Sequence, residues 1–229
     1  MEQLLVALDV DSAERARTLA GQLRGTVGGF KIGSQLFTHA GPALVEELAA
    51  AGDRVFLDLK FHDIPNTVAG AVRRVAEMGV RLTTVHASGG SKMMAAAVEA
   101  AGASCGVLAV TVLTSLDDRL LGEAWGKDRV DVEDEVLRMA ELARSAGVHG
   151  IVCSGQEAAA VNGRHGQNLK LLVPGIRLPG DAPGDQARVM TPSEAAAAGA
   201  SYLVIGRSVT AAPDPRIAMQ AVLDSLPRG

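Results

Sequence analysis

Eight short apolar runs recur along the chain, and their spacing constrains the fold more than any other feature. They are Leu4–Val10, Gly29–Gly33, Arg54–Lys60, Leu82–Ala87, Gly106–Thr114, Gly150–Ser154, Leu171–Ile176 and Tyr202–Gly206. Each is nearly continuous in Val, Ile, Leu, Phe or Ala, as expected of parallel strands covered on both faces. Most starts lie about 20 to 30 residues apart, the length of one βα unit, and Ala-rich amphipathic stretches fill the intervals. One longer interval, Asp117–Asp134, predicts an extra short helix. Helix punctuation fits the same scheme. Asp11 with Glu14 resembles a capping box, and Pro65 and Pro192 stand at helix starts. Gly52, Gly79, Gly102, Gly147 and Gly199 close Ala-rich helices. No linker or composition shift interrupts the 229 residues. The expectation is an α/β fold in one domain, residues 1–229: a closed (β/α)8 TIM barrel in preference to an open doubly wound sheet.

Composition narrows the partners. Hydrophobic residues make up 48% and charged residues 21%, enough for one large core without a disordered tract. A net charge of −4 argues against a general nucleic-acid or membrane-surface binder. An anionic ligand must therefore be held by a few placed cations. Aromatic residues, at 3%, are too few for a base-stacking platform. Cys105 and Cys153 lie in apolar runs and read as inert core thiols. The N-terminus enters Leu4–Leu8 without the basic region of a signal peptide, and no run approaches membrane-spanning length. A cytoplasmic protein with no membrane partner is expected.

In a parallel barrel the working groups sit at the C-terminal ends of the strands. Seven of the eight runs carry a polar or ionic residue there: Asp9, Lys31, Asp58 with Lys60, His86, Thr114 with Ser115, Arg177, and Gly206 with Arg207. Alternation along a strand places Asp58 and Lys60 on one face. Lys31, Asp58, Lys60 and Asp63 then form an alternating array of ammonium and carboxylate groups. Buried charges are costly unless mutually paired, so such an array points to function. A salt-bridge network that only ties strands together is the alternative.

The last two units suggest a phosphate site. Gly175-Ile176-Arg177 and Ile205-Gly206-Arg207-Ser208 follow the seventh and eighth runs, where barrels commonly hold phosphate. A guanidinium can grip phosphate oxygens in bidentate fashion. Between them, Leu178–Gln186 is rich in Pro and Gly and reads as a lid that could carry Gln186 onto a ligand. An exposed loop without a role is the other reading.

These residues carry a family resemblance. Asp58-Leu59-Lys60-Phe61-His62-Asp63-Ile64-Pro65-Asn66-Thr67 resembles the signature of the orotidine 5′-phosphate decarboxylases, in their shorter bacterial form. Weaker matches follow in order: Ala7-Leu8-Asp9, Phe30–Gly33, Val85–Gly90, Val110–Ser115, Val173–Arg177, Gly184-Asp185-Gln186 and Ile205-Gly206-Arg207. The resemblance implies a lyase that makes UMP from orotidine 5′-phosphate, a small-molecule nucleotide, without a cofactor or a metal. Lys60 would protonate C6 of the pyrimidine, with Asp58 beside the departing carboxylate. Lys31 and Asp9 would contact the ribose hydroxyls. Asp63 and Thr67 would enter the partner's site in a homodimer with shared active sites. Thr114 and Ser115 would lie near the base, Gln186 would close over base and phosphate, and Arg177, Gly206 and Arg207 would hold the phosphate.

Loss of CO2 from C6 leaves a vinylic carbanion without an adjacent electron sink. No PLP-type lysine environment or thiamine motif is evident to supply one, so a placed cation must stabilise the developing charge. The nearest rivals are the sugar-phosphate enzymes of the same barrel group, 3-keto-gulonate 6-phosphate decarboxylase and hexulose-phosphate synthase. They share Asp-x-Lys-x-x-Asp but bind Mg2+ and an enediolate. A phosphate-ligand sensor would keep Gly206 and Arg207 yet has no use for the Lys/Asp array. His39, His62, His149 and His165 match no metal spacing and read as surface or helix histidines. His86 is assigned no chemistry. Asp128, Asp131 and Glu133 to Glu135 read as a solvated face and helix start.

Overall fold

The computed structural model describes residues 3–178 and 189–227. Within them, eight parallel strands close into a barrel in the order β1 to β8. They are β1 (Leu4–Ala7), β2 (Gly29–Gly33), β3 (Val55–Phe61), β4 (Leu82–His86), β5 (Gly106–Val110), β6 (Gly150–Val152), β7 (Lys170–Ile176) and β8 (Tyr202–Ile205). Helices α1 (Ala13–Leu23), α2 (Ser34–Ala50), α3 (Pro65–Glu77), α4 (Gly90–Ala101), α5 (Asp118–Trp125), α6 (Val132–Ser145), α7 (Gly155–His165), α8 (Pro192–Ala197), α9 (Arg207–Thr210) and α10 (Pro215–Asp224) follow in chain order. The predicted extra helix in the long fifth interval is α5.

Two apolar clusters divide the work. Inside the barrel, Leu5, Ala7, Phe56, Leu82, Leu108, Val110, Val152, Leu172 and Val204 stack together. Outside it, strand residues of opposite parity, such as Leu4, Val6, Ile32 and Val85, pack against the helices. Both faces of most strands are thus apolar, which is why the runs look continuous in sequence; the inner face of β2, with Gly29, Lys31 and Gly33, is the exception. Period-two alternation also decides the inner face. In the paired registers Ala7 lies beside Lys31, Lys31 beside Phe56, and Gly33 beside Asp58.

The helix ends follow the sequence closely, with one correction. Pro65 and Pro192 open α3 and α8, and Thr191 with Glu194 makes a reciprocal cap. Gly52, Gly79, Gly102, Gly147 and Gly199 have φ between +61° and +90°, the left-handed region that ends a helix. At α1, however, the cap is Ser12, whose side chain accepts from the Arg15 N–H, and not Asp11. Asp11 instead accepts from Gln35 Nε2 at 2.8 Å.

The strands are shorter than predicted at several C-terminal ends. β5 stops at Val110, not Thr114, because its neighbour β6 has only three residues. Beyond the Val110–Val152 pairing no ladder partner remains, and both the N–H and the hydroxyl of Thr111 turn to the Val152 carbonyl. Val112 to Ser115 therefore belong to the mouth of the barrel. Cys105 and Cys153 are buried free thiols, and burial pushes the Cys105 thiol up to about 11. No helix among the described residues is long and apolar enough to cross a membrane.

Candidate active site

A cleft of about 600 Å³ opens at the C-terminal mouth. Nine of the expected residues line it: Asp9, Lys31, Asp58, Lys60, Thr114, Ser115, Arg177, Gly206 and Arg207. Its apolar floor is the top of the barrel interior, with Phe56, Val110, Val152, Leu172 and Val204.

The charged array is continuous. Lys31 Nζ lies 2.9 Å from Asp9 Oδ1 and 3.8 Å from Asp58 Oδ2, and Lys60 Nζ lies 2.8 Å from the same Asp58 oxygen. The side chains of Lys31 and Asp58 are only 11% and 13% exposed, whereas that of Lys60 is 36% exposed and looks into the cleft. Withdrawing such charges from water is tolerable because each meets an opposite charge. Gly33 makes room for them: a Cβ there would lie 3.0 Å from Lys31 Nζ and 3.1 Å from Asp9 Oδ1.

Simple alternation does not explain how Lys60 reaches Asp58. Leu57 pairs with Thr83 and Phe61 with Val85, so four steps along β3 match two along β4. This bulge carries Lys60 at φ +51°, the one non-glycine residue with positive φ among the described residues. A left-handed conformation costs about 1–2 kcal/mol in an L-residue, and bulges that re-aim a side chain are common beside active sites. Lys60 N–H donates to Thr84 Oγ1 at 2.9 Å, and the Thr84 hydroxyl donates to Asp58 Oδ1 at 2.9 Å.

The ends of β7 and β8 bring two cations to the same cleft. Arg177 follows β7, its N–H donating to the Met190 carbonyl, and Arg207 begins α9. Among the described residues, a Cβ at Gly206 would meet only Ala7 Cβ, at an ordinary 3.8 Å. Its backbone, at φ −111° and ψ −113°, lies outside the regions that residues with a Cβ ordinarily adopt.

Asp63 and Thr67 are not among the residues lining this cleft. Both are exposed in the segment after β3, where Asp63 Oδ1 accepts from the Ile64 N–H at 2.6 Å and Ile64 is 67% exposed. Gln186 and the expected lid from Pro179 onward lie outside the described residues. Gln35 and Thr210 line the cleft but were not expected. Gln35, four residues after Lys31 in the first turn of α2, was legible in principle; nothing in the sequence marks Thr210.

His86 ends β4 and packs against His62, with ring centroids 5.3 Å apart. Burial lowers its pKa, with help from His62 and Lys60 and opposition from Asp58. His39, His62 and His149 are exposed as expected, while His165, the last residue of α7, is buried. Its Nε2 has no hydrogen-bond partner among the described residues. No group of three or more His, Cys, Asp or Glu side chains among the described residues has a metal-holding arrangement. A second cavity, about 400 Å³, opens at the N-terminal end beside Arg54, Arg81, His149 and Tyr202. It lacks the paired lysines and carboxylates, and that end of such barrels serves stability.

Comparison with known proteins agrees with the barrel fold. The sequence model of the orotidine 5′-phosphate decarboxylase / HUMPS family matches residues 2–222. The chain is 50% identical to an orotidine 5′-phosphate decarboxylase of Halorhodospira halophila, over 96% of this chain and 94% of that one. It is 49% identical to that of Nitrosococcus oceani, over 96% and 95%. Among solved structures, the orotidine 5′-phosphate decarboxylase of Lactobacillus acidophilus superposes with a TM-score of 0.84 at 35% identity, covering 96% of this chain and 97% of that one. The Pyrococcus horikoshii enzyme gives 0.78 at 26% identity, covering 96% and 97%.

Proposed function

The chain belongs to the orotidine 5′-phosphate decarboxylase / HUMPS family, and we propose that it is the nucleotide enzyme, converting orotidine 5′-phosphate to UMP in the last step of de novo pyrimidine biosynthesis. The observation that carries this reading is the Lys31–Asp58–Lys60 array in a cleft that also holds Arg177, Gly206 and Arg207. The carboxylates of the cleft alternate with ammonium groups and do not converge on one point, which favours a developing carbanion over a metal-bound enediolate.

The C6–carboxylate bond breaks, CO2 departs, and the electron pair stays on C6. The Lys60 ammonium faces that charge and gives C6 its proton; solvent then restores the lysine. At about 4 Å and an effective dielectric near 20, one such contact contributes about 4 kcal/mol. Enzymes typically lower barriers by roughly 8–23 kcal/mol, so the phosphate grip must supply much of the rest by closing and drying the site. Arg177 and Arg207 hold the phosphate, and the absence of a side chain at Gly206 lets it approach the backbone. Lys31 and Asp9 bind the ribose hydroxyls, Thr114 and Ser115 border the base, and Gln186 closes over base and phosphate. Asp58 stands beside the departing carboxylate, where it repels the substrate and holds Lys60.

The working unit is a homodimer, with Asp63 and Thr67 reaching the partner's cleft. Their exposure, together with that of Ile64, supports this assignment. Residues 1–229 act as one catalytic domain, in the cytoplasm and without a cofactor. Decarboxylation of orotidine 5′-phosphate in the presence of EDTA tests the reading. Turnover that survives the chelator is expected; turnover abolished by it points to the metal-dependent sugar-phosphate branch.

A further inference from the structure

We propose that Thr84 is a positioning residue of this site, holding through one hydroxyl both the Asp58 carboxylate and the left-handed backbone of Lys60. The inference rests on reading the cleft as a decarboxylase site. It goes beyond that reading, because Thr84 does not line the cleft and cannot touch a substrate.

Thr84 lies in the middle of β4 and is completely buried. A hydroxyl has one proton to give, and the two hydrogen bonds fix where it goes. A backbone N–H can only donate, so the Lys60 N–H at 2.9 Å occupies a lone pair of Oγ1. The hydroxyl proton is then free to point at Asp58 Oδ1, also 2.9 Å away. The relay Lys60 N–H to Thr84 O–H to Asp58 occupies one carboxylate oxygen. The other oxygen, Oδ2, is left for Lys60 Nζ at 2.8 Å and Lys31 Nζ at 3.8 Å. One buried side chain thus determines which Asp58 oxygen faces the two ammonium groups.

The same hydroxyl also answers a backbone problem. The mismatch of four steps on β3 to two on β4 takes Lys60 out of the ladder register. A buried amide without an acceptor is strongly disfavoured. Thr84 Oγ1 supplies that acceptor at the one residue held at φ +51°. Without it, the amide would have to seek another acceptor, and the direction in which the Lys60 side chain leaves the backbone would change with it.

The test compares Thr84→Val, which keeps shape and loses the hydroxyl, with Thr84→Ser, which keeps the hydroxyl. Loss of a hydrogen bond to a charged group predicts that T84V lowers kcat for orotidine 5′-phosphate by about tenfold to a hundredfold. Affinity for UMP should stay within about threefold, because the phosphate and ribose contacts are intact, and T84S should stay within about threefold of the parent in kcat. A crystal structure of T84V should show Lys60 displaced from the left-handed region or its contact with Asp58 lost. Unchanged kcat in T84V overturns the proposal. So does an equal loss in T84V and T84S, or a parallel fall of kcat, UMP affinity and thermal stability, which would mark a packing role. Should T84V not fold, T84A takes its place in the same comparison. If the unaltered protein fails to decarboxylate orotidine 5′-phosphate, the functional reading falls, while the Lys60 geometry in the T84V crystal still decides the positioning role.

Discussion

Replacing Lys60 with alanine removes the ammonium group and leaves most of its surroundings in place. Asp58 would keep the Thr84 hydroxyl at 2.9 Å and Lys31 at 3.8 Å, so its charge is not orphaned. The lost ammonium is about one-third exposed, and the fold should tolerate its removal. The rate should not. A cation about 4 Å from the developing carbanion contributes about 4 kcal/mol at an effective dielectric near 20, or about three powers of ten in rate. A positioned general acid contributes roughly two to four more. Together these predict that kcat falls by about five to seven powers of ten. The assay follows the loss of orotate absorbance, with UMP affinity measured by calorimetry on the same preparation. UMP should bind nearly as before, since Lys31, Asp9, Gly206 and Arg207 remain. A folded K60A enzyme slowed by less than about a hundredfold would mean that neither the cation nor the acid resides on Lys60.

Three further outcomes follow from the same geometry. Arg207→Ala should lower kcat/KM by about a hundredfold or more, as expected of a lost charge-assisted phosphate contact; an unchanged kcat/KM would place the phosphate elsewhere. Mixed K60A and D63A subunits should recover part of the activity that each lacks alone, because a heterodimer can assemble one intact site, and the absence of recovery in verified heterodimers would exclude the shared site. His86 is kept below its ordinary pKa of 6.5 chiefly by burial. Its neutral form is therefore favoured by folding, a contribution present above about pH 6.5 and lost as pH falls through the lowered value. His86→Asn should flatten the drop in thermal midpoint between about pH 7 and 5, and identical slopes would show that His86 does not carry it.

The barrel was legible because both strand faces are apolar and the helices end on glycines that adopt positive φ, as at Gly79 and Gly147. Lys31 and Asp58 were legible because regular alternation turns both into the barrel mouth. The pairing of Asp58 with Lys60 was foreseen for an incomplete reason: equal parity suggested it, whereas the bulge and the left-handed Lys60 achieve it. No spacing rule reveals a bulge, whose cause lies in the neighbouring strand. Thr84 stayed hidden for a related reason. A threonine inside an apolar run reads as an ordinary strand former, and its role appears only when Asp58 and Lys60 meet across the ladder. The overlong fifth strand has the same origin, since Val112 and Leu113 are apolar enough to continue but β6 ends too early to pair with them. Asp11 and Ser12 are both residue types that cap helices, and only the backbone direction distinguishes them.

Turnover of orotidine 5′-phosphate in D2O with EDTA present follows the proton delivered to C6 and the group that delivers it. UMP carrying one deuterium at C6 is expected, formed at an unimpaired rate in the chelator and lost in K60A. Absence of UMP, or deuterated product at the parental rate from K60A, would contradict this reading of the site.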